Sequence, residues 1–90
     1  MELLQEIKNR LSITDDFHND LLNGFAQDTK DYLLSAGVKE NVVESEKSIG
    51  AITKGVADLW NEGKFSEIFY QRAIQLTFEE VENVQTETTV

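Results

Sequence analysis

The chain has 90 residues, of which 17 are Asp or Glu and 8 are Lys or Arg, so its formal net charge at pH 7 is −9. The absence of cysteine excludes a disulfide framework and thiolate metal sites. An acidic surface repels phosphate, which disfavours binding of nucleic acid through a basic patch. A single domain this small buries only somewhat more than roughly 60% of its unfolded surface, so association between copies would add needed stability.

The overall pattern predicts an all-α fold. The chain contains no proline, and successive segments repeat their apolar residues about every 3.6 positions. We expect one domain over 1–82, a compact bundle of about four helices, followed by a flexible tail over 83–90. The N-terminus lacks the features of a signal peptide, and no apolar run approaches the roughly 20 residues of a membrane span. We therefore expect a soluble protein that is intracellular where it is made, without a membrane partner.

The first two helices are predicted over 2–11 and 15–36. Thr14 is a suitable N-cap for the second helix, with Asp15 and Asp16 in its first turn, and Gly37 is placed to stop it. The apolar stripe of the first helix consists of Leu3, Leu4, Ile7 and Leu11. The main apolar arc of the second consists of Phe17, Leu21, Phe25, Tyr32 and Ala36, widened by Leu22, Ala26, Thr29 and Leu33.

The segment 38–48 has no clear period and predicts a loop with at most a single helical turn. A third helix is predicted over 46–62, capped by Ser45 or Ser48 and ended by Gly63. Its apolar face consists of Ile49, Ile52, Val56, Leu59 and Trp60, while the residues predicted to face away are Lys47, Lys54, Asp58 and Glu62.

The fourth helix, predicted over 66–78 and opened by Ser66, is apolar on nearly every side. Four helices of this length cannot easily cover it within one monomer, which favours a subunit interface. The residues that we assign to this interface are Phe69, Tyr70, Ile74 and Phe78. An alternative remains for 74–79, where apolar and polar residues alternate as in a strand.

No catalytic or metal-binding pattern is present. Asp16-x-His18-x-Asp20 fails as a calcium loop, because its sixth position would be Leu21 and its twelfth Gln27. His18 is the only histidine, so zinc sites and paired acid–base groups lack their usual residues. Nucleophile-elbow and phosphate-loop motifs do not occur. We therefore expect no enzyme, no cofactor and no metal.

One family resemblance covers about residues 3–78. It rests on the Leu-x-x-Ile-Lys-x-x-Leu-x-Ile-Thr opening within 3–14, the acidic cap Asp15-Asp16 and the Ala36-Gly37 stop. It continues through the third helix ending near Trp60 and the segment Phe69-Tyr70-Gln71-Arg72-x-x-Gln75-Leu76. In this order and spacing, the chain resembles the head–tail connector (adaptor) or DNA-packaging proteins of tailed double-stranded-DNA bacteriophages.

The resemblance implies a compact helical subunit that assembles into a homo-oligomeric ring, with a dodecamer among the compatible sizes. Such a ring would sit under the portal protein, extend the DNA channel and dock a stopper or tail-completion protein. It implies a place at the head–tail junction of the virion, after synthesis in the host cytoplasm. It carries over no catalytic residue and no cofactor.

The acidity of the chain suits a conduit through which DNA slides without specific binding. Asp28 and Asp31 on the second helix are our candidates for residues that face the channel, and the loop 38–48 is a second candidate for its wall. Two other functions remain open. One is a small acidic DNA mimic that sequesters a nucleic-acid-binding protein, and the other is a helical assembly subunit unrelated to phage.

Overall fold

The computed structural model describes residues 3–80, which are entirely helical apart from turns and loops. Its helices are α1 (Leu3–Leu11), α2 (Asn19–Ser35), α3 (Glu40–Val43), a 3-10 turn (Glu46–Ser48), α4 (Ile49–Glu62) and α5 (Glu67–Leu76). No strand occurs within 3–80, so the all-α prediction is confirmed and the strand alternative for 74–79 is wrong. The predicted tail over 83–90, and the ends of the predicted domain, lie outside the described residues.

Helix α4 is the central element of the bundle, because α1, α2 and α5 all contact it. More than half of its circumference is buried, by residues that include small, apolar and polar side chains: Ala51, Ile52, Thr53, Gly55, Val56 and Asp58. The other helices contribute the rest of the core, mainly Ile7, Leu22, Ala26, Leu33, Val38, Val42, Val43, Phe69, Ala73 and Leu76. A helix buried on this many sides must be approached closely by its neighbours, and small residues such as Ala51 and Gly55 on its buried face allow that approach.

The second helix begins at Asn19 rather than at 15, so the prediction of Thr14 as its N-cap is wrong. The carboxylate of Asp15 instead accepts a hydrogen bond from the backbone N–H of Phe17 at 2.9 Å. Such a local bond offers the backbone an alternative to the helix and favours a turn. The ammonium of Lys8 holds the next carboxylate, that of Asp16, at 2.8 Å.

The apolar face of α2 is rotated relative to the predicted arc. The residues that were expected only to widen the arc are the fully buried ones: Leu22, Ala26, Thr29 and Leu33. Phe25 and Tyr32 are half-buried at its edge, while Phe17, Leu21 and Ala36 are exposed. The predicted arc is therefore wrong in its centre, because the face of α2 is set by where α4 allows the closest approach.

The segment between α2 and α4 contains one short helix, in agreement with a loop that holds a single helical turn. Val38, Val42 and Val43 are all buried there, and α3 contacts α2. Ser45 caps the 3-10 turn by accepting a hydrogen bond from the N–H of Lys47 at 3.2 Å. The predicted third helix over 46–62 therefore starts with three 3-10 residues and becomes α-helical at Ile49.

Gly55 is the point of closest approach among α2, α4 and α5. A Cβ atom at this position would lie 2.6 Å from Cγ2 of Thr29 and 2.8 Å from Cε1 of Phe69. Carbon atoms cannot approach so closely, so only glycine lets both side chains reach the α4 backbone. Gly50, one and a half turns earlier, has only the terminal Nη1 of Arg72 at 3.6 Å and is not a tight contact.

Asp58 was predicted to face solvent, and this prediction is wrong, because its residue is only 5% exposed. One carboxylate oxygen accepts hydrogen bonds from the backbone N–H of Ser66 at 3.0 Å and from its hydroxyl at 2.7 Å. The other oxygen lies 2.9 Å from the Nζ of Lys54. Ser66 Oγ in turn accepts from the N–H of Phe69 at 3.3 Å and caps α5. The carboxylate therefore fixes where α5 starts on α4.

The environment of Asp58 shifts its pKa downward. Burial, the largest influence, would raise the pKa of this carboxyl, but the hydrogen bonds from Ser66 and the ammonium of Lys54 together outweigh it and the pKa is lowered. Because the ionised form is favoured by folding, its contribution to stability is complete above the unfolded pKa of about 3.9 and is lost as the pH falls through the folded-state value.

We predict that Gly55→Ala destabilises the protein. Strain from two clashes should cost about 1–3 kcal/mol and exceed the gain of about 1 kcal/mol in helix propensity. The matched control is Gly24→Ala on the exposed face of α2, where a Cβ meets nothing within 4 Å; this change should stabilise by about 0.5–1 kcal/mol. Urea unfolding followed by Trp60 fluorescence measures both, and equal stability of the two variants would contradict the close approach.

We predict that Asp58→Asn lowers the free energy of unfolding at pH 7 by about 1.5–3 kcal/mol, the value of hydrogen bonds to a charged group. The difference from the wild type should shrink as the pH falls below about 4, where Asp58 becomes protonated first in the unfolded chain and, at still lower pH, in the folded protein. Asp28→Asn, at an exposed site, serves as the control and should change stability little at either pH. A loss that stays constant from pH 7 to pH 3 would show that the charge of Asp58 is not involved.

Candidate interaction surfaces

Helix α5 buries one face and leaves another open. Phe69, Ala73 and Leu76 face the core. Tyr70, Ile74 and Phe78, which follow one another at four-residue spacing, are exposed by 39%, 60% and 81%. We call these three residues the α5 ridge. Tyr70 and Ile74 lie on α5 itself, and Phe78 lies in the turn after its last residue, Leu76. Three exposed large apolar side chains so close together in the chain form a surface typical of protein–protein contact.

Phe69 is placed differently from the other three residues that were assigned to an interface. It is fully buried, its ring is stacked on that of Phe65 with centroids 4.3 Å apart, and it reaches the backbone of α4 at Gly55. Phe69 is therefore part of the core of the subunit, and the ridge without it is the surface open to a partner. The sequence could not separate the two roles, because both sets of residues have helical spacing.

The ridge is anchored to the core by aromatic contacts. The ring of Tyr70 lies 5.5 Å from that of Tyr32 and 5.9 Å from that of Phe69, measured between centroids. Tyr32 in turn contacts Phe65 at 5.5 Å and Phe69 at 5.7 Å. Tilted and edge-on pairs of this kind hold side chains in fixed orientations. The start of the ridge is thus presented on a rigid base.

A second exposed apolar site lies at the beginning of α2. Phe17 is 91% exposed and Leu21, one turn later, is 47% exposed. We call these two residues the corner knob. Both were predicted to lie on the main apolar arc of α2, because the helix was predicted to begin at residue 15. The one signal that could have exposed the error was the run of Asp15 and Asp16, since aspartate favours turns as readily as helix starts.

The corner that carries the knob is held by several polar contacts. The Nζ of Lys8, a residue only 7% exposed, lies 2.8 Å from the carboxylate of Asp16 and 3.0 Å from the side-chain oxygen of Asn19. The hydrogen bond and charge of Lys8, helped by Asn19, lower the pKa of the Asp16 carboxyl. The imidazole of His18 lies 3.3 Å from Asp15 and meets Trp60 edge-on at 5.0 Å.

The candidate channel residues Asp28 and Asp31 both lie on the outer face of α2 and are exposed. The carboxylate of Asp31 accepts a hydrogen bond from the amide of Gln27 at 2.9 Å, and the neighbouring Gly24 has open space around it. Lys30, the one basic residue of α2, lies about 100° around the helix from Asp31 and about 160° from Asp28, and its Nζ lies 3.6 Å from Glu44. The structure thus places both aspartates on one acidic, unobstructed face.

A pocket of about 300 Å³ lies between the start of α4 and the end of α5. Its lining combines the small or apolar residues Gly50, Ala51 and Leu76, of which Ala51 and Leu76 are buried, with the polar or charged residues Lys47, Arg72, Gln75 and Glu79. Lys47 lies 3.0 Å from the carboxylate of Glu79. Arg72 has no ion pair within residues 3–80, so this mixed lining includes a guanidinium without a carboxylate partner in that part of the chain.

Within the described part of the chain, no three histidine, aspartate or glutamate side chains are arranged to hold a metal ion. Asp16 is engaged by Lys8 and His18 faces Trp60, so the Asp16-x-His18-x-Asp20 pattern does not converge on one point. None of the helices found between residues 3 and 80 is long and apolar enough to cross a membrane.

Comparison with known proteins gives one match. The model of the family described as phage gp6-like head–tail connector protein matches residues 1–88. No curated protein and no solved structure matches the chain. The family match covers nearly the whole sequence, agrees with the all-α fold and describes a structural component rather than an enzyme. This chain therefore belongs to the phage gp6-like head–tail connector family.

Proposed function

We propose that this connector assembles into a homo-oligomeric ring beneath the portal protein of a tailed phage. The ring extends the DNA channel and offers the surface on which a stopper or tail-completion protein docks. The observation that carries this proposal is the α5 ridge, which is exposed in the single subunit. The protein works at the head–tail junction by binding other proteins, and it requires no cofactor.

The ridge supplies enough apolar surface for a specific contact. Complete burial of a large apolar side chain contributes about 1.5–3 kcal/mol, and Ile74 and Phe78 begin more than half exposed. In a closed ring the same contact is repeated between every pair of neighbours, so each subunit takes part in it once through each of two different surfaces. A small domain with a modest core also gains stability when its exposed apolar face is covered.

The chain's charge suits a conduit for DNA. Asp28 and Asp31 form an acidic face on α2 that would repel the phosphate backbone and keep DNA from adhering to the wall. The rigid α2 scaffold fixes these carboxylates, since α2 is anchored to α4 by Leu22, Thr29 and Leu33. We place this face of α2 toward the lumen of the ring.

We predict that Ile74→Asp weakens association with neighbouring subunits and with a portal ring by about tenfold to hundredfold, since it puts a charge into an apolar contact. Ile68→Asp on the same helix is the matched control. Ile68 is 54% exposed but lies about 120° around the helix from Ile74, so this variant should assemble normally.

Negative-stain electron microscopy of each variant, alone and mixed with portal rings, measures ring or annulus formation. Equal assembly by the two variants would exclude the ridge from the interface. If the wild type stays monomeric, ignores the portal and binds a basic host protein instead, the connector ring is wrong and the DNA mimic becomes the better explanation.

We predict that replacing both Asp28 and Asp31 by lysine slows DNA passage through the assembled head–tail junction. The double substitution changes the formal net charge from −9 to −5, because each replacement adds 2 positive units. Replacing Glu62 and Glu80 by lysine makes the same charge change away from the outer face of α2 and is the control. Ejection kinetics of phage complemented with each variant provide the measurement, and unchanged ejection with the first variant would remove these residues from the channel wall.

A further inference from the structure

We propose that neighbouring subunits join head to tail, with the corner knob of one copy inserted into the α4–α5 pocket of the next. This inference deepens the proposed function, because it names a second contact between neighbouring subunits beside that of the α5 ridge, and it rests on that function in requiring copies to associate. Phe17 is the inserted side chain, with Leu21 beside it. The pocket that receives them is the one whose lining includes Gly50, Ala51 and Leu76.

The knob is built for insertion into a partner. The side chain of Phe17 is almost completely exposed, but the backbone around it is held in place. The N–H of Phe17 donates a hydrogen bond to the Asp15 carboxylate at 2.9 Å, and the ammonium of Lys8 binds the carboxylate of Asp16. An aromatic ring presented from a fixed turn loses little conformational entropy when a partner covers it. Large aromatic side chains that enter a pocket are also the residues that dominate binding energy at interfaces.

The pocket matches the knob in size and offers it a partly apolar lining. Its volume is about 300 Å³, and Gly50, Ala51 and Leu76 form the small or apolar part of a lining that also contains four polar or charged residues. An engineered apolar cavity of about 150 Å³ is large enough to bind benzene, so a phenyl ring fits with space for part of Leu21. The opening lies between two helices, where the side chain of a neighbour can enter.

The charges around the two sites are complementary. The knob is flanked by Asp15, Asp16 and Asp20, and Asp20 has no ion pair within residues 3–80. Arg72 at the pocket rim likewise has no ion pair in that part of the chain, and its Nη1 lies over Gly50. Insertion of the knob would bring the unpaired carboxylate of Asp20 to the unpaired guanidinium of Arg72. This ion pair sets the orientation of the contact and disfavours the contact of one knob with another knob or of one pocket with another pocket.

The positions of the two sites require a second copy. The knob lies at the end of α4 where His18 contacts Trp60, whereas the pocket lies around Gly50 at the beginning of that helix. Ten helical residues separate these two points by about 15 Å, so the knob cannot fill its own pocket. A contact between two different surfaces of identical subunits is heterologous, and it generates a ring when the rotation closes.

The pocket and the α5 ridge can be occupied at the same time. Around α5, Arg72 lies about 160° from both Tyr70 and Ile74, and Gln75 lies about 140° from Tyr70 and about 100° from Ile74. One side of α5 is then available to the corner knob of a neighbouring subunit, and the α5 ridge is available to another surface of a neighbour or to the portal. The two contacts are separable by mutation.

Site-directed cross-linking tests the contact directly, because the natural chain has no cysteine. A variant with both Thr14→Cys and Gln75→Cys keeps Phe17 in place, because Thr14 is an exposed residue three positions before it. Treated with a short bis-maleimide at high protein concentration and on portal rings, this variant should give a ladder of dimers, trimers and larger species. An equal mixture of the two single variants should stop at dimers that contain one copy of each. Absence of the ladder, or equally efficient cross-linking of Thr14→Cys to itself, would overturn the proposal.

Charge exchange provides an independent test that does not depend on cysteine. Asp20→Arg and Arg72→Asp should each weaken self-association at least tenfold in sedimentation experiments, and the double variant should recover most of the loss. Glu40→Arg makes the same charge change as Asp20→Arg at an exposed position of α3 and should leave association unchanged. Failure of the double variant to recover, with both single variants folded by circular dichroism, would overturn the Asp20–Arg72 contact.

The two levels of inference fail in different ways. If an annulus forms on the portal but neither the ladder nor the charge rescue is seen, the head-to-tail contact is wrong and the connector function stands. If the wild type neither associates nor adds to the portal, the proposed function and this contact are both wrong.

Discussion

The approach of Thr29 and Phe69 to the backbone of α4 at Gly55 is the constraint on which the rest of the bundle depends. Because no side chain intervenes, α2 and α5 can both reach the central helix at the same level. That contact sets the rotation of α2, so that Leu22, Ala26, Thr29 and Leu33 face inward. It also brings Phe69 inward on α5, which leaves Tyr70, Ile74 and Phe78 on the other side.

The exposed ridge is thus a consequence of the core and of the small size of the chain. Helix α5 lies at the edge of the bundle and is contacted mainly by α4, so only about half of its apolar residues can be covered. A larger domain would supply another helix for the remaining face. In a connector, a partner protein can take that place, so the incomplete coverage of α5 leaves an apolar surface for binding.

The acidic residues of the chain have distinct roles despite their common contribution to the net charge. Asp58 is buried and positions Ser66 at the start of α5, and Asp16 holds the corner through Lys8. Asp20, Asp28 and Asp31 lie on exposed positions of α2 and remain available to partners or to solvent. A net charge of −9 therefore combines carboxylates that hold the fold together with carboxylates that have no such role.

The sequence by itself determined the all-α class, the approximate position of every long helix and the stops at Gly37 and Gly63, because period, caps and left-handed glycines are local properties. Its family resemblance also led to the connector family. Only the tertiary structure decided that α2 begins at Asn19, that Asp58 is buried and that Phe69 belongs to the core while Phe17 is exposed. These outcomes depend on how closely the helices approach α4 and on which carboxylates meet Lys8, Lys54 or Ser66, and such distances between separate elements leave no local pattern in the sequence.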